Sequence, residues 1–147
     1  MPRSFTPTEP WNVIYYRTAN GAVPADEFLD GCPTKVEAQL LAVLDDVAEA
    51  PPPRYSGGGR WEAMHGSMRG YYEIRAQGPK REQFRLFCLL ENGSPAELRQ
   101  RGLARPAIAV IAGLRKAWLT TFSARDYESV RRLGDEHRRQ FPRRIRE

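Results

Sequence analysis

Arg75 and Arg85 are the residues whose types and spacing most directly suggest chemistry. They lie in two patterned arms, Tyr-Tyr-Glu-Ile-Arg-Ala-Gln at 71–77 and Gln-Phe-Arg-Leu-Phe-Cys-Leu-Leu at 83–90, separated by Gly-Pro-Lys-Arg-Glu at 78–82. Both arms alternate at the period of a strand: Tyr72, Ile74, Ala76 and Phe84, Leu86, Cys88, Leu90 fall on an apolar side, with charge on the other. If residues 78–82 are the loop of a β-hairpin, Gln77 pairs with Gln83 and Arg75 stands directly opposite Arg85. Like charges in that position destabilise a sheet. An anion held between them would account for the pair, and phosphate fits best because it matches the guanidinium fork bidentately. Two other readings remain: Glu73, Glu82 or Glu91 neutralises the pair, or the register differs by two and each arginine reaches water separately.

Further groups capable of chemistry surround this pair. Arg115 and Lys116, with Trp118 just beyond, follow the hydrophobic run Ala-Ile-Ala-Val-Ile-Ala at 107–112, and a strand end is a rigid platform for positioning charge. Lys80 and Arg81 at the hairpin tip, and Arg131 and Arg138 near the C-terminus, are candidate contacts to a nucleic-acid backbone. An unperturbed imidazole titrates near about 6.5, so His65 is a candidate either for a general acid or base or for a residue that hydrogen-bonds its own loop. Glu73 is the nearest carboxylate to Arg75.

Trp11–Arg17 reads as a first strand ending at Asn20-Gly21, at or near a sheet edge. Pro24 with Asp26 and Glu27 opens a short helix that Gly31 and Pro33 stop. Thr34-Lys-Val-Glu37 is a capping-box pattern, and Val36, Leu40, Val43, Leu44 and Val47 share one face of a helix ended by Pro51-Pro52-Pro53. Residues 54–68 read as a glycine-rich connection, with Trp61 and Met64 pinned to the domain. The Gly-Gly-Gly run lacks the Gly-Lys-Ser/Thr ending of a phosphate loop. Residues 91–106 read as a loop. The run 107–112 does not alternate, so it is expected to be a central strand covered on both faces and closed by Gly113. Ser123 and Asp126 cap a last helix, with Phe122 stapled to Tyr127 and an apolar side formed by Tyr127, Val130, Leu133 and Phe141.

The chain has 147 residues, enough for one domain with a core that needs no disulfide or metal. Cys32 and Cys88 are too few for a disulfide framework and suit no zinc spacing, which points to free thiols. Residues 1–53 hold three Lys/Arg against eight Asp/Glu, and residues 54–147 hold twenty against ten. The second part is therefore the anion-facing one, and a polyanion such as nucleic acid is the partner class its charge suits. The N-terminus has no signal-peptide h-region and no run approaches the ~20 apolar residues of a membrane span. A cytoplasmic protein is expected, with residues 1–10 and 142–147 loosely held.

The order of elements, together with Gly-Tyr-Tyr-Glu-Ile-Arg at 70–75, Phe-Arg-Leu-Phe at 84–87 and Gly-Leu-Arg-Lys at 113–116, resembles the RelE/ParE toxin superfamily, most closely its HigB-like, phage-protein-related branch. The resemblance spans roughly Trp11 to Leu133. It implies an α+β domain: a small curved antiparallel sheet with the N-terminal helices packed on one side and a C-terminal helix. It also implies a type II toxin that cuts mRNA on the ribosome by attack of the 2′-hydroxyl, without metal or other cofactor, and that is neutralised by a cognate antitoxin in a hetero-oligomer. That antitoxin is expected to be a helix-turn-helix DNA-binding protein. Carried over by position, Arg75, Arg85 and Lys116 would hold the scissile phosphate. Ala117 and Thr120 replace lysines found in some HigB-like members, and the C-terminal tyrosine of some RelE-type sites lacks a counterpart, since Phe122 has no hydroxyl and Tyr127 is assigned to the core. Proton transfer then falls to His65, Glu73 or the ribosome. A non-enzymatic gyrase inhibitor of the ParE type, and an inactive nucleic-acid-binding relic relying on its arginine tail, are the competing functions.

Overall fold

The computed structural model describes residues 9–50 and 59–147. Among these residues the fold is α+β, with four α-helices and one six-stranded open sheet. In chain order the elements are β1 (Asn12–Tyr16), α1 (Pro24–Asp30), α2 (Thr34–Glu49), β2 (Trp61–Ala63), β3 (Tyr71–Gln77), β4 (Gln83–Glu91), α3 (Pro95–Gln100), β5 (Ala107–Lys116), α4 (Ala124–Arg139) and β6 (Ile145–Arg146). The strands lie in the order β2-β3-β4-β5-β1-β6. Four of the five pairings are antiparallel; β1 runs parallel to β5, Asn12 opposite Ala107 and Tyr15 opposite Val110. The expected all-antiparallel sheet is thus corrected to a mixed one. An edge position for β1 is nearly right, since only the two-residue β6 lies outside it.

Two cores sandwich the sheet. On one face α1 and α2 bring Leu29, Val36, Leu40, Val43, Leu44 and Val47 against Ile74, Phe84, Leu86, Ile108 and Val110. On the other, Val130 of α4 and Leu98 of α3 cover Tyr71, Phe87, Leu89, Ala107, Ala109 and Ile111. The expected division of the hairpin into an apolar and a charged side therefore holds only near its tip, because Tyr71, Phe87 and Leu89 on the second side are buried. The same double cover explains the unbroken hydrophobic run of β5, whose large residues Ile108 and Val110 meet α1 and α2 while Ala107, Ala109 and Ala112 face the other way. A bulge opposite Phe87 and Cys88 leaves Ile111 as the extra residue.

Local structure follows the sequence signals unevenly. Pro24 occupies the first turn of α1 as expected, and Ser123 and Asp126 form a reciprocal capping box on α4. At α2 the expected box is absent: Pro33 is the cap residue, Thr34 is already helical, and no side chain caps. Residues 91–106, expected to be a loop, contain α3, capped by Ser94 and Glu97. Trp61 stacks on Tyr72 at 4.9 Å as part of β2, a strand within the expected glycine-rich connection. The stop at Pro51–Pro53, the first five residues of that connection (54–58) and residues 1–8 of the N-terminal end lie outside the described residues. Residues 142–147, expected to be loose, are tied down through β6 and through Arg146, which makes a bidentate pair with Asp26. Phe141 lies beyond α4 and is 56% exposed rather than part of its apolar side. Cys88 is buried and Cys32 half-buried, both as free thiols. No described helix is long and apolar enough to cross a membrane.

Candidate functional site

The hairpin β3–β4 has the register that its alternation and five-residue loop imply. Gln77 pairs with Gln83, and Arg75 lies directly opposite Arg85. Gly78 makes this closure possible: its N–H donates to the Glu82 carbonyl at 2.8 Å, and a Cβ there would stand 2.6 Å from the Phe84 ring. Because β5 continues past Gly113 to Lys116, with Leu114 opposite Arg85 and Lys116 opposite Gln83, the expected stop at Gly113 is corrected. Lys116 therefore joins Arg75 and Arg85 on the sheet face that carries α4.

A carboxylate sits between the two guanidiniums. Glu73 is buried, accepts from Arg75 Nε at 2.8 Å and lies 2.6 Å from its Nη2, whereas its nearest approach to Arg85 Nε is 3.8 Å. Glu62 of β2 adds a second partner to Arg75 at 3.1 Å. Arg85 instead donates to the Phe84 carbonyl and to Gln83 Oε1, and its guanidinium lies 5.8 Å from the Phe122 ring. The electrostatics differ accordingly. Arg75, although desolvated, is raised by its contacts with Glu73. Arg85 is lowered, first by burial and further by Arg75, against the pull of Glu73. Arginine stays charged regardless, so Arg85 is the cation whose charge is least compensated.

Around this pair, Arg75, Ala76, Gln77, Gln83 and Arg85 line an open groove of about 240 Å³. Lys116 reaches the rim, its Nζ 3.3 Å from Asp126 in the α4 capping box. Formal charge in the cluster balances, with Arg75, Arg85 and Lys116 against Glu62, Glu73 and Asp126. Tyr127 follows Asp126 and packs edge-on against Phe87, centroids 6.1 Å apart. Burial raises its hydroxyl pKa, Glu73 raises it further, and Arg85 and Arg75 pull the other way. Tyr127, expected in the core, packs half-buried against the second core, and its hydroxyl is a proton donor at neutral pH.

The other candidates disperse. Arg115 pairs with Phe84 on the opposite sheet face, bonded twice to Glu82 and once to the Gly31 carbonyl, so it is removed from the cluster. His65 is exposed beyond the far end of β2, past the rung where Met64 bonds Tyr71, and cannot reach Arg75. Arg138 lies over the Tyr71 ring at 5.7 Å, at that same distant end, and Arg131 is half-buried on α4. Lys80, Arg81 and Trp118 sit at the near rim, with Arg81 4.6 Å from the Trp118 ring.

A second ionic cluster went unforeseen. Buried Glu91 accepts from Arg143 Nε at 2.8 Å, lies 2.8 Å from His137 Nε2 and 3.3 Å from Arg101. Burial raises its pKa, but the bonds from His137 and Arg143 outweigh that and hold it down at about 2. With every oxygen of Glu91 engaged and Arg143 also bonded to the Arg138 and Gln140 carbonyls, this cluster fastens the C-terminus to the sheet. Among the described residues no three His, Cys, Asp or Glu side chains converge as metal ligands. Compared with known proteins, the chain matches no family model, no curated protein and no solved structure.

Proposed function

We propose that this protein is a toxin of the RelE/ParE type that acts as a ribosome-dependent mRNA endoribonuclease. The observation that carries the reading is the Arg75–Arg85 register, which gathers two guanidiniums and, two residues along the neighbouring strands, Lys116 on one rigid sheet face. In this mechanism Arg85, the least compensated cation, binds the scissile phosphate and stabilises its developing charge. Glu73 accepts the proton of the attacking 2′-hydroxyl, and Tyr127 donates one to the leaving 5′-oxygen. His65, being remote, takes no part. A cognate antitoxin with acidic or helical segments would cover the basic rim, in the cytoplasm where the ribosome lies.

One observation favours a non-enzymatic reading of the ParE type: Glu73 already occupies the place between the arginines where a phosphate would sit. The relic that binds through its tail has less support, since Arg143, Arg144 and Arg146 are paired to Glu91, Glu136 and Asp26.

Inducible expression without antitoxin tests the choice. Wild type should arrest growth with translation-dependent cuts in mRNA, and the Arg75, Arg85, Lys116 triple alanine should give neither. Arg85→Ala alone should lower cleavage by roughly 10²–10³-fold while changing stability by no more than about 1 kcal/mol, as read by chemical denaturation. Arrest with intact mRNA and broken DNA selects gyrase inhibition, and cutting that persists in the triple variant refutes the site.

A further inference from the structure

Three residues other than glycine have positive φ among those described: Lys80 at 55°, Arg81 at 59° and Leu119 at 65°. All three lie at one end of the sheet, two in the β3–β4 loop and one in the turn after β5. The Gln83–Lys116 pairing makes those segments neighbours. A left-handed backbone costs free energy wherever a Cβ is present, and such strain persists where the surrounding structure fixes it, often at ligand-binding sites.

What the strained backbone presents here is Arg81 over Trp118, 4.6 Å from the ring centroid. Trp118 is 47% exposed, whereas Trp11 and Trp61 are 9% and 6% exposed, and Leu119 beside it is 78% exposed. No acidic side chain pairs with Lys80 or Arg81 among the described residues, so the patch is apolar, aromatic and cationic together. That combination suits a planar group carrying negative charge nearby: aromatic rings accept any nucleobase by stacking, and arginine adds a cation–π contribution.

We propose that Trp118 and Arg81 form a nucleobase-stacking platform for single-stranded RNA, seating the base of a nucleotide close to the one whose phosphate Arg85 holds. The inference rests on the RNA-cleaving reading above. Arg81 precedes Arg85 by four residues, which limits their backbone separation to at most roughly 13 Å, a distance a short single strand spans. The base stacks on the exposed surface of Trp118 while Arg81 braces the ring, and Lys80 faces the backbone.

The test uses the full chain and a 2′-O-methyl RNA decamer, which lacks the attacking hydroxyl. Because Trp118 is the exposed tryptophan, its fluorescence should be quenched on titration, and Trp118→Phe should remove that signal while retaining most of the affinity. Trp118→Ala should weaken binding roughly tenfold, and an abasic version of the decamer should lose the same factor with wild type but nothing further with Trp118→Ala. Equal binding by wild type and Trp118→Ala, with weakened binding by Arg85→Ala, overturns the platform and leaves the phosphate site standing. Absence of binding by wild type even at low salt overturns both. Trp118 fluorescence that answers to a neutralising partner protein and not to RNA reassigns the patch to protein docking and overturns the platform.

Discussion

At the scale of single residues, the candidate site is a contest between Glu73 and an incoming anion for Arg85. Glu73 bonds Arg75 closely and Arg85 only at 3.8 Å, so the carboxylate satisfies one guanidinium and leaves the other short of charge. Glu73→Gln is expected to release Arg85 while Arg75 keeps Glu62; because the Arg75 side chain is 42% exposed, the lost pair costs only about 1 kcal/mol, read as a slightly lower denaturation midpoint. The same variant should bind inorganic phosphate more tightly in calorimetry. Unchanged phosphate affinity would show that Glu73 does not occupy an anion's place. This pairing was legible in the sequence because alternation and loop length alone set the register of a hairpin. Arg115 was not, since a strand running three residues past Gly113 sends its side chain to the face of α1 and α2, and nothing local announces that extension. Tyr127 packs against the second core as its helical spacing implies, but spacing does not say that Glu73, Arg85 and Arg75 act on its hydroxyl.

Among the elements, the seating of α4 on the sheet depends on a close approach that only glycine permits. A Cβ on Gly134 would stand 1.8 Å from the Tyr71 hydroxyl. That hydroxyl is buried without a hydrogen-bond partner, and burial pushes its pKa up to about 12. Gly134→Ala is expected to lose about 1–3 kcal/mol to overpacking, although alanine is the better helix former by up to about 1 kcal/mol. Tyr71→Phe removes the clashing oxygen but leaves the ring carbon 2.8 Å away, so it should restore part of that loss in the double variant. Thermal melts of the four proteins check this, and a purely additive pair would sink the packing account. Elsewhere the pattern of legibility follows length. The long amphipathic helix α2 and the strongly alternating strands were readable from periodicity, whereas α3 has only six residues and β2 only three. The Ser94–Glu97 box that caps α3 was present in the sequence; the expected loop passed over it because no apolar stripe follows so short a helix. The parallel pairing of β1 with β5 has no local signature at all.

For the molecule as a whole, the acidic first part and basic second part neutralise each other in places, as where Asp26 of α1 holds Arg146 of β6. Glu91 performs a similar service deeper inside, fastening His137 and Arg143. Its folded pKa of about 2 lies below the ordinary 4.5, so its stabilising contribution is complete above pH 4.5 and disappears as pH falls through about 2. That contribution is on the order of 3 kcal/mol. Glu91→Gln should be destabilised at pH 7 and should lose much less than wild type between pH 5 and pH 2.5, measured by urea denaturation. An equally steep acid limb in both proteins would remove Glu91 from this role. The placement of β1 carries a consequence for the order in which the chain can assemble. Asn12 finds its sheet partner in Ala107, and Tyr15 finds Val110, so the strand made first is paired only after most of the chain exists. The meander β2–β3–β4 consists of near neighbours in sequence and can form early at small loop-closure cost. The sheet is therefore closed from its late side, and contacts of high sequence separation set the pace at which a folded molecule appears.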